Sequence, residues 1–187
     1  MNYLPGKKEP DGLHGETFRK DLFYSQKMRG KLKPFYEWKS FEGRFIFINK
    51  ESAEISSILQ KRLAVDTILA LSDYKEIYIE EKIVRWPGYK YTAFVLEVQS
   101  CSVAGKESPG WMEYGLADYL AYGFEQEDGQ IELYLIPFKK LKNWFWKNCI
   151  SYSETKTTQL NQTVCKIVPI KDVKMNVGFE KFFIPKK

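Results

Sequence analysis

Asp66, Glu80, Lys82 and Glu97 are the side chains from which chemistry could be built. Glu80 and Lys82 stand two apart in "YIEEKIVR", residues 78–85, a stretch of otherwise strand-like composition. Side chains alternate across a strand, so Glu80 and Lys82 share one face and Glu81 takes the other. Asp66 lies in the preceding apolar run, "AVDTILAL", residues 64–71, and "SDYK" turns the chain between the two. A hairpin centred near residues 73–74 brings residue 66 against residues 80–82. Two or three carboxylates beside a lysine suit Mg²⁺, which takes a few carboxylates and keeps several waters. Such an ion clamps a phosphoryl group and acidifies a bound water. The lysine orients that water or offsets charge on the attacked phosphate. The same residue types also make a plain cross-strand ion pair on an exposed face. Glu97 and Gln99 repeat the acid-x-polar spacing on a later strand, and Gln60 falls on a helical stretch just before Asp66. Which of the two acid-x-polar pairs belongs with Asp66 stays open.

The elements that would position these residues follow from periodicity. A short helix is expected over residues 15–28, bounded by Gly30, and a strand over 43–50. In residues 51–63, Ile55, Ile58, Leu59 and Leu63 make a helical stripe with acids in the first turn. Strands are expected at 64–71, 76–84 and 91–100, joined by links short enough for an antiparallel meander. "WMEYGLADYLAYGF", 111–124, starts as a helix and ends as a strand. A turn at "EDGQ" leads to a strand at 131–136, and Pro137 opens a helix whose Phe138, Leu141 and Phe145 form the buried stripe. A late strand is expected at 163–170, and "GFEKFFIPKK" is either a closing strand or a docking tail. The order implies an α/β sandwich, with helices covering a sheet. Residues 1–13 read as a loosely held arm and 14–187 as a single domain with its core at about 51–148.

Composition narrows the chemistry. His14 is the lone histidine, which excludes His-rich zinc sites and leaves carboxylates, lysines or a carboxylate-held metal. Cys101, Cys149 and Cys165 are widely spaced, as in reduced thiols of a cytoplasmic protein. No apolar run is long enough to span a membrane, and the first residues lack a signal-peptide core. The net charge of +5 permits an anionic partner. Basic residues gather in two segments: Lys27, Arg29, Lys31 and Lys33 in the first, and Lys139, Lys140 and Lys142 in the second. Basic clusters interleaved with aromatics suit a phosphate backbone. A solvated face gives the same pattern. Trp111, Trp144 and Trp146 would stack on bases or pack inside.

Asp66 followed by "IEEK", then "TAFVLEV" and, after a loop, "GW" at Gly110 and Trp111, resembles the PD-(D/E)xK nuclease superfamily, and most of all its small phage and prophage-type members. The likeness covers roughly residues 55–145. It implies a restriction-endonuclease-like α/β core, a mixed sheet with an antiparallel three-strand meander flanked by helices. It further implies a metal-dependent nuclease hydrolysing phosphodiester bonds of DNA in a bacterial or phage-infected cell. Asp66, Glu80 and Glu97 would ligate Mg²⁺ or Mn²⁺, Lys82 would activate the water, and Gln60 and Gln99 would be accessory. DNA is the partner so implied, with a homodimer where both strands are cut. Val65 stands where the motif has proline. The superfamily also holds inactive relatives, so a non-catalytic nucleic-acid binder or an interaction protein is the alternative.

Overall fold

Met28, Leu32, Phe35 and Tyr36 recur at helical spacing and are all buried, so they form one continuous stripe. That stripe decides the first element. In the computed structural model, which describes residues 13–48, 63–72, 75–85, 92–101, 107–156 and 163–186, helix α1 runs Leu13–Lys39. The helix expected to stop before Gly30 instead continues through Gly30 and Pro34. An interior glycine costs about 1 kcal/mol and an interior proline about 3 kcal/mol relative to alanine. Burying four large side chains, at roughly 1.5–3 kcal/mol each, outweighs both.

The remaining elements are β1 (Phe45–Phe47), β2 (Thr67–Ser72), β3 (Lys75–Val84), β4 (Ala93–Cys101), β5 (Glu107–Pro109), α2 (Trp111–Tyr114), β6 (Tyr119–Glu125), β7 (Ile131–Pro137), α3 (Phe138–Asn148), β8 (Glu154–Lys156), β9 (Val164–Pro169), α4 (Ile170–Asn176) and β10 (Glu180–Ile184). The helix expected at 51–63 lies almost wholly outside the described residues, and Gln60 with it.

The chain is α/β with a mixed sheet. One sheet has six strands in the order β1-β2-β3-β6-β7-β10, the other four in the order β5-β4-β9-β8. The expected meander is corrected here. Its first two strands pair antiparallel as β2 and β3, but the third, β4, leaves for the second sheet. The antiparallel triplet is completed on the other side by β1, and β6 takes the place beside β3 in parallel. The reason is apolarity. Residues 120–124 of β6 are buried without interruption, the mark of a strand covered on both faces. In residues 93–100 of β4, Phe94 and Leu96 are fully buried and alternate with half-buried neighbours, so this strand suits a one-sided position.

Three layers result. Helix α1 packs on one face of the larger sheet through Leu69, Ile79, Ala121, Leu133 and Leu135. The other face, carrying Leu120, Tyr122, Phe124, Tyr134 and Ile136, meets Phe94, Leu96 and Val168 of the second sheet and Phe138, Leu141 and Phe145 of α3. "GFEKFFIPKK" supplies the closing strand β10, antiparallel to β7. Cys165 is buried and Cys149 partly so, both as free thiols. Among the described residues no helix is long and apolar enough to cross a membrane.

Candidate functional site

The approach to Asp66 is set by backbone. Ala64 adopts a left-handed φ of 49°, uncommon for a residue with a Cβ and costing roughly 1–2 kcal/mol. Val65 is then buried and Asp66 stands immediately before β2. Its N–H donates to the Ile79 carbonyl at 2.8 Å, and its own carbonyl accepts from Ile48 N–H at 2.8 Å. Asp66 is thus pinned between the end of β1 and the middle of β3. Thr67 pairs with Ile79, which places Asp66 beside Glu80, as the hairpin arithmetic expects.

The Asp66 carboxylate is held from several sides. Oδ1 accepts from Arg29 Nη2 at 2.8 Å, and Oδ2 accepts from the Glu81 N–H at 3.0 Å. A further hydrogen bond links it to the Glu80 carboxyl. Burial first, and the Asp66 charge second, push Glu80 well above the usual carboxylate value of 4.5. Glu80 therefore holds its proton more firmly than a free carboxyl does.

Glu81 points to the opposite face and meets α1. Its Oε1 accepts from Tyr36 OH at 2.8 Å and Thr67 Oγ1 at 2.5 Å, and its Oε2 accepts from Arg29 Nε at 3.2 Å. Burial and the Asp66 charge raise its carboxyl, while Arg29, Thr67 and Tyr36 draw it back. Burial, then Glu81, keep the Tyr36 hydroxyl well above its ordinary value, so it donates rather than ionises. Arg29 completes its own set with the Ile48 carbonyl at 3.0 Å. A fully satisfied network of this kind rigidifies the strand that carries Glu80.

Lys82 is exposed and leaves β3 on the Glu80 face. Its charge lowers both the Glu80 and the Glu97 carboxyls, so the two acids lie within its field. Glu97 is raised by burial and held down by Lys82 and an N–H from Trp111. A β-bulge between Glu97 and Gln99 interrupts the pairing of β4 with β9. It breaks the alternation that would have made those two residues a face-sharing pair. Gln99 instead pairs with Pro109 of β5 and Val164 of β9. The Tyr114 hydroxyl is pushed up to about 12 by burial, then by Glu80, Glu97 and Asp66, which places its ring beside all three acids.

The basic segments divide. Arg29 is consumed by Asp66 and Glu81, and Lys31 by Glu125 at 3.1 Å and the Gly129 carbonyl at 2.9 Å. Lys27 and Lys33 are exposed, the latter 3.7 Å from Glu37. On α3, Lys139 and Lys140 are exposed, whereas Lys142 donates to the carbonyls of Glu113 and Gly115, each at 2.7 Å. The expected basic strips are therefore partly internal fastenings. Trp111 is buried, Trp144 packs against the core, and Trp146 is partly exposed while its indole N–H donates to the Met112 carbonyl at 3.2 Å.

The structure thus gathers Asp66, Glu80, Lys82 and Glu97 and leaves Gln99 in strand pairing. Sequence reading missed four supports. Arg29, expected in a basic cluster that holds a phosphate backbone, turns inward, and Tyr36, Thr67 and Tyr114 carry no local signal. Asp118 is a fifth. Its carboxylate accepts from Tyr78 N–H at 2.8 Å and its own N–H donates to the Tyr78 carbonyl at 2.8 Å, which fixes the parallel start of β3 against β6. Two carboxylates in hydrogen-bond contact can take a cation in place of the shared proton. Among the described residues, though, no group of three or more His, Cys, Asp or Glu side chains is arranged to hold a metal ion. Comparison of the chain with protein-family models, with curated proteins and with solved structures finds no match.

Proposed function

We propose that the chain is a Mg²⁺- or Mn²⁺-dependent nuclease acting on DNA, of the PD-(D/E)xK kind. The supporting observation is the contact of the Asp66 and Glu80 carboxyls, with Lys82 two residues along the same strand face. Mg²⁺ needs only one or two carboxylates when it keeps its waters and takes phosphate oxygens. Asp66 and Glu80 would hold it, with Glu97 in the field of the same Lys82. When bound, the metal supplies an acidified water and charge neutralisation at phosphorus. Glu80 would have to release its proton to serve as a ligand. Lys82 would direct an N–H toward the attacking water or the phosphate, and Arg29 holds Asp66 from behind. Tyr114, its hydroxyl pushed up to about 12, would sit protonated beside the acid cluster. Cutting both strands of a duplex would call for two copies.

A second reading, a non-catalytic nucleic-acid binder on the same fold, is favoured by the hold of Arg29 on Asp66. Incubating plasmid and linear DNA with the protein in Mg²⁺ or Mn²⁺ separates the two. Lys82→Ala, at an exposed position, should keep the fold and lose at least about 100-fold in cleavage. Asp66→Asn should lose as much. Absence of cleavage by the unaltered chain over a broad range of conditions rejects the nuclease reading. Salt-sensitive binding without cleavage would leave the second.

A further inference from the structure

Helix α3 carries a set of lysines and a ring that the acid cluster leaves unused. At about 3.6 residues per turn, Trp146, Lys139, Asn143, Lys147 and Lys140 follow one another around the helix within an arc of roughly 120°. All five are exposed, Trp146 with 41% of its surface. No acid lies between Phe138 and Asn148. Among the described residues none of Lys139, Lys140 and Lys147 is in a salt bridge, and the nearby Glu113 charge acts on Lys142.

The ring amid these cations is held in place. Trp146 Nε1 donates to the Met112 carbonyl at 3.2 Å, and the ring meets that of Phe145 edge-on, centroids 5.1 Å apart. A ring so anchored loses little freedom when a flat ligand stacks on it. Lys142 lies at the same margin of the helix and donates to the carbonyls of Glu113 and Gly115, the two residues flanking Tyr114. Tyr114 in turn borders Asp66, Glu80 and Glu97. The cationic face and the acid cluster therefore adjoin the same short helix, α2.

The chemistry of this face selects its partner. Three unpaired ammonium groups attract a polyanion. An interfacial membrane helix lays an apolar face into lipid. The apolar stripe of α3, Phe138, Leu141 and Phe145, is instead buried in the core. Outside stands one ring amid lysines, with Ile150 exposed just beyond the helix. A nucleic-acid strand offers phosphates and bases side by side, and so suits both lysine and ring. We propose that the outer face of α3 is a docking surface for a nucleic-acid strand, with Lys139, Lys140 and Lys147 on the phosphates and Trp146 stacked on a base. Such affinity does not depend on cleavage and stands apart from the nuclease reading.

Binding without chemistry tests it. A dye-labelled single-stranded DNA of about a dozen nucleotides is titrated in EDTA at several salt concentrations with the unaltered chain and its variants. Lys140→Gln with Lys147→Gln should weaken binding at least about tenfold and reduce the magnitude of the salt slope by roughly 1.4, twice the value for one phosphate contact on a single strand. Lys171→Gln with Lys174→Gln removes the same charge from exposed positions on α4 and should weaken binding less than about threefold. Trp146→Phe keeps a ring and should stay within about threefold of the unaltered chain, whereas Trp146→Ala should lose about tenfold. Unchanged thermal midpoints certify the fold, and Lys139→Gln with Lys140→Gln repeats the test should the first pair disturb it. No strand binding by the unaltered chain at low salt overturns the docking face. Equal losses in the α3 and α4 pairs, or equal affinities of Trp146→Phe and Trp146→Ala, do so as well. So does co-sedimentation with phosphatidylserine vesicles that the α3 pair abolishes while strand binding is unmoved. Strand binding that depends on α3 in a chain that never cleaves DNA keeps the docking face and rejects the nuclease. Cleavage in Mg²⁺ with a KM and a strand affinity indifferent to the α3 pair does the reverse.

Discussion

Arg29 bears the most weight at the scale of single residues. It satisfies Asp66, Glu81 and a backbone carbonyl at once, and its side chain is only 13% exposed. Removing it takes the guanidinium charge away from two largely buried carboxylates. Arg29→Ala should lower stability by about 3–5 kcal/mol, the cost of breaking a buried ion pair from one side. Urea unfolding measures it, and a loss below 1 kcal/mol would show the network to be ornamental. Glu80 gives a prediction with a definite sign. Burial and the neighbouring Asp66 charge hold its folded-state carboxyl above 4.5. The folded chain therefore keeps a proton that the unfolded chain releases. Its contribution is fully present below about 4.5 and is lost as pH rises toward the folded value. Glu80→Gln has no proton to lose and can still donate to Asp66. In the absence of divalent ions its stability should gain on the unaltered chain as pH rises from 4 to 7. Urea midpoints at three pH values check this, and a pH-independent difference would contradict it.

At the scale of elements, Gly110 fixes how the loop before α2 meets β4. A Cβ there would lie 2.6 Å from the Glu97 carbonyl oxygen and under 3 Å from the next peptide. The contact is backbone, which cannot swing aside. Gly110→Ala should cost about 1–3 kcal/mol and displace the Trp111 N–H that Glu97 accepts. Thermal unfolding reads the first effect and the chemical shift of that N–H the second; a neutral variant would mean that the close approach is dispensable. The "GW" was legible in the sequence as a motif, but not its reason, which is a contact between residues a dozen apart. The same divide runs through the fold. The hairpin of β2 and β3 was legible because a short turn and period-2 alternation fix register locally. So were α3, from Pro137 and its apolar stripe, and the helix-to-strand switch at 111–124. The end of α1 was not, because Gly30 and Pro34 argue for a stop and only tertiary burial overrides them. Nor was the departure of β4, since strand choice depends on which neighbour is apolar on both faces. In the site, Glu80 and Lys82 could be placed by alternation. The inward turn of Arg29 could not, because an arginine amid lysines has the composition of a surface strip.

The two sheets share one core, and a buried hydroxyl of one meets the backbone of the other. Tyr122 of β6 is fully buried, its ring 4.9 Å from that of Phe94 on β4, and its hydroxyl accepts the Val95 N–H at 3.1 Å. Val95 pairs with Ile167 on one side, and β5 covers β4 only from Gln99 onward. Tyr122 thereby meets an N–H on the edge that β5 leaves open. Burial raises the Tyr122 hydroxyl far above its ordinary value, so it remains a neutral partner across the working pH range. Because Phe94, Leu96 and Val168 of one sheet lie in the same cluster as Leu120, Tyr122 and Ile136 of the other, neither sheet keeps its core without its neighbour. Tyr122→Phe should lower stability by about 1–3 kcal/mol, the cost of an unmet buried donor. The loss should leave unfolding a single step. Far-ultraviolet circular dichroism and tryptophan fluorescence, with Trp111 and Trp144 reporting from the shared core, should trace one coincident curve in urea before and after the change. Two separated transitions in the variant would mean that the sheets are independent units and that the hydroxyl, not the core, had joined them.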